Sequence, residues 1–280
     1  MKRIIALGLL VAGTSALADS SRNIYDLMYL PKAGTAYGIS QANYADARLM
    51  DSDTKIDGEI WNVNQSLGYS LSDMLSLQAS LGYGQSNYDS GVSDSSGISD
   101  PLFNARFRLM EGEYLLDFLG EAAISLGDHE IDKDNEGDAR NGGHEVAAGA
   151  QFGRKTEGYQ WAFSGLLRYN LESTTDDKSS GVKTKDDAHF GVDLGGDFLV
   201  RTTAQSNLHL LAKAMIEQEY DDNKGGSTAS LNTYTWGGEY QYLVSSDLMA
   251  RAGISYSLIK GAKIDQNDVF MFSVGANYQF

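Results

Sequence analysis

The alternation of apolar and polar residues limits the fold of this chain more than any other feature. Between positions 75 and 83, Leu, Ala or Tyr at each odd position alternates with Ser, Gln or Gly at each even position. A period of two indicates a β-strand whose two faces meet different surroundings. The same pattern predicts further strands at residues 35–49, 61–71, 103–109, 114–126, 146–152, 159–171, 190–200, 208–216, 234–242, 248–258 and 270–280. The total of about twelve is even, as in single-chain bacterial membrane barrels.

The predicted connections alternate in length. Short turns fall at residues 70–74, 111–112, 154–158, 201–206 and 244–247. Long polar connections fall at residues 51–57, 89–99, 127–143, 172–187, 221–230 and 260–268. Short periplasmic turns and longer extracellular loops are typical of outer-membrane barrels. The sequence therefore predicts an all-β, transmembrane, antiparallel up-and-down barrel with both termini in the periplasm.

A soluble β-sandwich or soluble barrel is the alternative, because its strands also alternate. In those folds the apolar face points inward and bulky residues fill a core. Here the polar face is rich in Gly, Ser, Asn, Gln and charged residues, and the apolar face ends repeatedly in aromatic residues. These are Trp61, Tyr69, Tyr83, Tyr159, Trp161, Tyr169, Trp236, Tyr242 and Tyr256. Aromatic belts at two membrane interfaces favour the membrane barrel.

The first 34 residues divide into two segments. Lys2 and Arg3 precede an apolar stretch at residues 4–11 and a small-residue site that ends at Ala18. This order predicts a signal peptide over residues 1–18, cleaved after Ala18, and hence an exported protein of the Gram-negative outer membrane. Residues 19–34 contain an apolar stretch before Pro31. We expect them to fold into the barrel lumen as a plug or to lie in the periplasm, with the barrel spanning residues 35–280.

Composition excludes several classes of protein. The formal net charge of −16 argues against nucleic acid as a partner, because phosphates attract Lys and Arg. The chain has no cysteine and therefore no disulfides. Residues 132–137 read D-x-D-x-E-G like a calcium loop, but Gly143 stands where the bidentate Glu is needed. We expect no resident metal or cofactor, and an acidic loop that exchanges divalent ions with lipopolysaccharide.

The C-terminus carries the most specific motif. Ser273, Gly275, Tyr278 and Phe280 fit the polar-x-Gly-x-x-aromatic-x-Phe pattern that the barrel-assembly machinery recognises. Alternation places Tyr278 and Phe280 on the lipid side and Gly275 on the other side. An ordinary edge strand that ends in an aromatic residue is the alternative.

Charged residues on the supposed lumen face suggest cross-strand pairs. In a hairpin, the position numbers of directly opposed residues add to a constant value. With each turn placed as predicted, Arg106 lies opposite Asp117, Glu145 opposite Arg168, Asp193 opposite Lys213, Asp197 opposite His209, and Glu239 opposite Arg251. Chance pairing of solvated charges is the alternative. The remaining acids Glu121, Asp197, Glu217 and Glu219 outnumber the spare cation Arg108. This excess favours cations or neutral polar solutes over anions.

Enzymatic readings have weak support. A barrel phospholipase needs a Ser and His pair, and none of His129, His144, His189 and His209 lies in a His-x-Ser arrangement. The Asp128-His129 dipeptide is isolated, whereas barrel proteases need paired acids with Asp-His. We therefore expect a protein that is not an enzyme and has no catalytic residues.

One stretch resembles a known family. Residues 97–103, Gly-Ile-Ser-Asp-Pro-Leu-Phe, precede Arg106-Phe107-Arg108-Leu109. This stretch, with the turn phrase at residues 67–73, is similar to outer-membrane proteins associated with the meta-cleavage pathway for phenol degradation. The resemblance implies a barrel channel for hydrophobic or aromatic solutes. The family's Pro-Thr-Gly is replaced by Leu126-Gly127-Asp128.

Taken together, these patterns predict a channel for passive passage of small solutes. A structural or adhesive barrel that acts through its extracellular loops is the alternative.

The terminal motif makes a first testable prediction. Deleting Phe280 should slow membrane insertion, because the assembly machinery loses the aromatic terminus. The measurement is the yield of heat-modifiable barrel and of protease-sensitive periplasmic protein in cells. A normal barrel yield from the truncated chain would show that the motif is not the signal.

Overall fold

The computed structural model describes residues 24, 26–51, 54–89, 94–132, 136–178, 180–221, 227–228, 230–261 and 264–280. The expected signal peptide lies outside the described residues. The strands are β1 (Ala36–Asp51), β2 (Thr54–Ser70), β3 (Leu75–Tyr88), β4 (Asp94–Ile98), β5 (Leu102–Met110), β6 (Tyr114–Ala123), β7 (His129–Ile131), β8 (Glu136–Gly137), β9 (Glu145–Lys155), β10 (Tyr159–Asn170), β11 (Ser173–Asp177), β12 (Val182–Asp186), β13 (His189–Arg201), β14 (Ser206–Glu217), β15 (Tyr220–Asp221), β16 (Ser227–Thr228), β17 (Leu231–Ser245), β18 (Leu248–Gly261) and β19 (Ile264–Gln279).

The wall is a closed antiparallel sheet. Each wall strand pairs with the next along the chain, and β19 pairs with β1 from Tyr37↔Gln279 to Arg48↔Asp268. Strands β4 and β5 act as one wall strand in two parts, since both pair with β3 on either side of Asp100 and Pro101. The wall strands are β1, β2, β3, β4–β5, β6, β9, β10, β13, β14, β17, β18 and β19. The predicted twelve-stranded antiparallel barrel is confirmed.

The long-connection end contains more strand than the sequence predicts. The connections expected at residues 51–57 and 260–268 are largely strand, because β1 continues to Asp51, β2 begins at Thr54, and β18 and β19 are separated by two residues only. The four other expected loops hold short strands, namely β4, β7 with β8, β11 with β12, and β15 with β16. Strand β11 pairs with β12 and, in parallel, with β7, and β8 pairs with β4. The wall therefore extends beyond the predicted strand ends on this side. Strand β1 begins, and β19 ends, at the opposite, short-turn end.

The two faces of the wall differ as the alternation requires. Large apolar side chains are exposed on the outside, for example Phe163 and Val274 at 63% and 58% of their surface. Aromatic pairs mark both ends of this apolar surface. Near the long-connection end, the ring centroids of Trp61 and Tyr83 lie 5.5 Å apart and those of Trp236 and Tyr256 lie 5.1 Å apart; near the short turns, those of Tyr114 and Phe152 lie 5.9 Å apart. An exposed apolar surface with aromatic borders fits lipid rather than water.

The C-terminal strand places its motif on both faces. Val274 is exposed on the outside, and the rings of Tyr278 and Phe280 meet at 5.2 Å. Gly275 faces inward. A Cβ atom there would lie 2.6 Å from the carbonyl oxygen of Ser40 and 2.9 Å from Nε of Arg251. Glycine at this position therefore lets the Arg251 side chain lie flat against the wall.

This close approach predicts that Gly275→Ala destabilises the barrel. The added methyl group must displace backbone, and overpacking of this kind costs about 1–3 kcal/mol. Gly120→Ala is the matched control, because a Cβ atom at this other wall glycine meets nothing within 4 Å. The urea midpoint of unfolding in detergent, read by heat-modifiable mobility, should fall for Gly275→Ala only. Equal midpoints for the two variants would contradict this explanation.

Candidate functional site

The lumen is lined by charged side chains whose backbone registers differ from the predicted ones. In four hairpins, the partner lies two residues further along the chain than expected. The pairs are Asp117 with Arg108, Glu145 with Asn170, Asp193 with Met215, and Glu239 with Gly253. Likewise, His209 lies opposite Leu199 rather than Asp197. The predicted turns were centred one residue too early; in the first hairpin, the register also shifts between Arg108 and Met110.

Opposite charges nevertheless meet, along diagonals instead of directly across. Nε of Arg106 lies 2.6 Å from Oδ2 of Asp117, and Nη1 of Arg251 lies 3.7 Å from Oε2 of Glu239. Diagonal neighbours in a sheet are about 7–8 Å apart, and long side chains such as Arg span that distance. Lys213 lies opposite Gly195, and Asp193 instead accepts a hydrogen bond from Arg168.

A charged cluster occupies the lumen near the short turns. Asp117 is completely buried between Arg106 and Arg108, and Nε of Arg108 lies 2.8 Å from its Oδ1. Arg108 also donates to the carbonyl oxygen of Met28 at 2.6 Å, and Arg106 donates to Gln151 at 2.5 Å. Arg108 is therefore not the spare cation that the sequence suggested. It joins the wall to the N-terminal segment.

The described part of residues 24–34 lies inside the barrel at this same end. Asp26 is 1% exposed and accepts hydrogen bonds from Lys155 at 2.5 Å and from Gln160 at 2.6 Å. Arg201 lies 3.5 Å from Oδ1, the oxygen that also accepts the hydrogen bond from Gln160. These three partners belong to β10 and to the adjoining ends of β9 and β13, so one carboxylate contacts three wall strands.

Met28 anchors the same segment by packing. It is buried with Leu115 and Ala162 in an apolar cluster. Its backbone adopts φ 58°, a left-handed conformation that a non-glycine residue rarely adopts and that costs about 1–3 kcal/mol. The surrounding contacts must outweigh this cost. The segment is therefore held in the lumen by ion pairs and by packing together.

A second network lies on the other side of the lumen, on β13, β14, β17 and β18. His209 is 1% exposed, and its Nε2 lies 2.9 Å from Oδ1 of Asp197, while its Nδ1 lies 4.0 Å from Glu239. Arg251 contacts Glu239 and donates to Gln41 on β1 at 2.8 Å. Asp197 is thus bonded to His209 and is not one of the unpaired acids that the sequence analysis counted.

The half of the lumen nearer the long connections contains a cavity of about 270 Å³. Arg168 stands at its wall and donates to both Glu145 and Asp193. Glu121 and Glu217 line the same cavity. A smaller cavity of about 60 Å³ adjoins the N-terminal segment, and Glu121 lines it too. Glu121 therefore stands between the two spaces.

The remaining candidate residues lie apart from the lumen. Glu219 follows the end of β14 and is exposed, so it is not on the wall as predicted. Asp128 and His129 do not act together: Asp128 accepts from Lys183 at 2.5 Å, and His129 lies 2.8 Å from Asp138. The D-x-D-x-E-G motif falls partly outside the described residues. Within the described ranges, no group of three or more His, Asp or Glu side chains is placed to hold a metal ion.

Sequence reasoning missed the contacts that join distant parts of the chain. Asp26, Met28, Gln41 and Gln151 all bond to charged or amide side chains on strands that are not their own sequence neighbours. The one indication in the sequence was the alternation of the strands, which places Gln41 and Gln151 on the inward face. Among the described residues, no helix has the length and apolarity that crossing a membrane requires.

The closed twelve-stranded wall, its apolar outside and its polar lumen define the outer-membrane β-barrel fold. An outer-membrane channel from Pseudomonas putida F1 has a similar structure, with a TM-score of 0.68 and 17% identity over 90% of this chain and 97% of that one. The translocator domain of the autotransporter NalP from Neisseria meningitidis has a TM-score of 0.55 and 12% identity over 89% and 90%. At such identities the likeness concerns the fold alone. No protein-family model and no curated protein matches the sequence.

Proposed function

We propose that the protein is an outer-membrane channel for the passive passage of small solutes. The observation that carries this proposal is a cavity of about 270 Å³, lined in part by charged side chains, inside a closed barrel whose outer surface is apolar. A structural barrel needs no such cavity, because side chains alone can fill its lumen. The fold shared with the Pseudomonas putida channel supports the same function.

The proposed setting follows from the shape of the wall. The short-turn end, where β1 begins and β19 ends, faces the periplasm, and the longer connections face outward toward lipopolysaccharide. The apolar band contacts membrane lipid. Export through a signal peptide at residues 1–18 and insertion by the barrel-assembly machinery through Gly275, Tyr278 and Phe280 are part of the same proposal.

The proposed path has a wide outer part and an obstructed inner part. A solute enters the outer cavity, passes Glu121 and reaches the small cavity beside the N-terminal segment. The described part of residues 24–34 acts as a plug there, because the buried contacts of Asp26 and Met28 occupy the lumen. Passage through the inner end thus requires movement of this segment.

A structural barrel is the second candidate, and the same plug favours it. The ion pairs between Asp26 and three wall strands close much of the inner end. If the segment never moves, no solute crosses. Conductance separates the two candidates.

Deleting residues 19–31 should raise the single-channel conductance, because the inner end of the lumen is then open. The measurement is planar-bilayer recording of the purified barrel with and without the segment. Lys32→Ala is the control, because Lys32 is exposed and its loss leaves the plug in place. Unchanged conductance on deletion would show that the segment does not obstruct the conduction path. The absence of current from both proteins would favour the structural barrel.

The lumen charges predict a weak preference for cations. Paired charges largely cancel at a distance, while Glu121 and Glu217 face the cavity as acids without a hydrogen bond in the described chain. Screening is weaker in a confined lumen than at an open surface, so these carboxylates dominate the local field. Neutral or aromatic solutes remain compatible with this arrangement.

Glu121→Gln and Glu217→Gln should each lower the potassium-over-chloride preference, measured as the reversal potential in a salt gradient. Glu59→Gln is the matched control, because Glu59 faces outward on β2 and its loss changes the net charge equally. An anion-selective parent protein, or equal shifts for Glu59→Gln and the lumen variants, would refute the assignment.

A further inference from the structure

The outer cavity has an excess of acids along its wall, because five carboxylates face three cations: Glu121, Glu145, Asp186, Asp193 and Glu217 against Arg140, Arg168 and Lys213. Glu121, Glu145, Arg168, Asp193 and Glu217 come from the consecutive wall strands β6, β9, β10, β13 and β14 and line the same space. Arg168 in the middle binds Glu145 and Asp193. Glu121 and Glu217, at the two sides, have no hydrogen bond or ion pair within the part of the chain that the structure describes.

Two further atoms are left without partners in this cavity. Thr233 is 7% exposed, and its Oγ1 has no hydrogen-bond partner; Oδ1 of Asp193 is also buried without one. Buried polar atoms in proteins are nearly always hydrogen-bonded, so these atoms at the cavity wall are available to an ordered water or to a bound ligand. Nε of Arg168 is a single unpartnered donor against these acceptors. The cavity therefore favours a ligand that mainly donates hydrogen bonds.

The rest of the lining suits an organic guest. The rings of His189 and Tyr220 stack with their centroids 3.9 Å apart, and Met215 and Leu231 add apolar surface. The volume of about 270 Å³ lies below the roughly 300–1,000 Å³ of pockets for drug-sized ligands. A bare metal ion is disfavoured, because the described carboxylates do not form a coordination cluster.

We propose that the outer cavity is a binding site for a small organic cation, a protonated primary amine on a compact apolar or aromatic body. The three N–H groups of the ammonium donate to Glu217, to the free oxygen of Asp193 and to Thr233, and Glu121 on the opposite side of the cavity adds a longer-range attraction. The body of the guest rests against Met215 and the stacked rings of His189 and Tyr220. This inference names a solute class for the proposed channel and rests on that function only for its biological meaning.

Binding is tested by calorimetry on the full mature chain in detergent, which requires no current. The probes are phenethylamine, which is protonated at pH 7, and 2-phenylethanol, which has a neutral hydroxyl in its place. The amine should bind at least about tenfold more tightly than the alcohol, because charge-assisted hydrogen bonds are stronger than neutral ones. Equal affinities for the two probes would overturn the proposal without any variant.

The variants locate the site. Glu217→Gln should weaken amine binding about tenfold. Glu121→Gln and Thr233→Val should each weaken it less, and Glu59→Gln on the outer face should leave it unchanged. Heat-modifiable mobility shows that each variant has folded. Amine binding that survives both Glu217→Gln and Glu121→Gln overturns the site. A chain that conducts but does not bind the amine refutes this inference alone, whereas a chain that binds but never conducts refutes the channel.

Discussion

The pairing of β19 with β1 is the interaction on which the rest of the structure depends. Inside a bilayer each backbone N–H and C=O must bond to protein, so a sheet that spans the membrane cannot leave an edge unpaired. The register from Tyr37↔Gln279 to Arg48↔Asp268 removes both edges at once. Closure then separates two environments completely. One face of every wall strand must suit lipid, and the other must satisfy its polar groups within a narrow lumen.

This separation explains the arrangement of the lumen charges. Confined charges are costly unless they have partners, and the barrel places Asp117 between two arginines and Arg168 between two carboxylates. The two clusters differ in whether carboxylates beside them remain without a hydrogen bond. The cluster at the short-turn end binds the N-terminal segment through the Met28 carbonyl oxygen, while the outer cluster leaves Glu121 and Glu217 facing open space.

The number of strands and the face on which each side chain lies were predictable, because both depend only on the alternation of apolar and polar residues. The registers were wrong by two residues, for example Asp117 with Arg106 instead of Arg108, yet a shift of two keeps each side chain on its face. The strand extensions near Asp57 and Asp268 were missed because the alternation reverses there. Ile56, Ile60 and Val269 face inward and are buried, whereas the two aspartates face outward. The contacts of Asp26 could not be read from sequence, because its partners Lys155 and Gln160 are 129 and 134 residues away.

The contacts of Asp26 also constrain the order in which parts of the barrel fold. Its three partners come from β10 and from the adjoining ends of β9 and β13, so the carboxylate has no complete binding place until these strands have paired. Contacts of such long sequence separation form late, since the chain must first lose the entropy of closing the intervening loops. The N-terminal segment is synthesised before the wall but reaches its place after it. The buried position of this segment is therefore available only after this part of the barrel has formed.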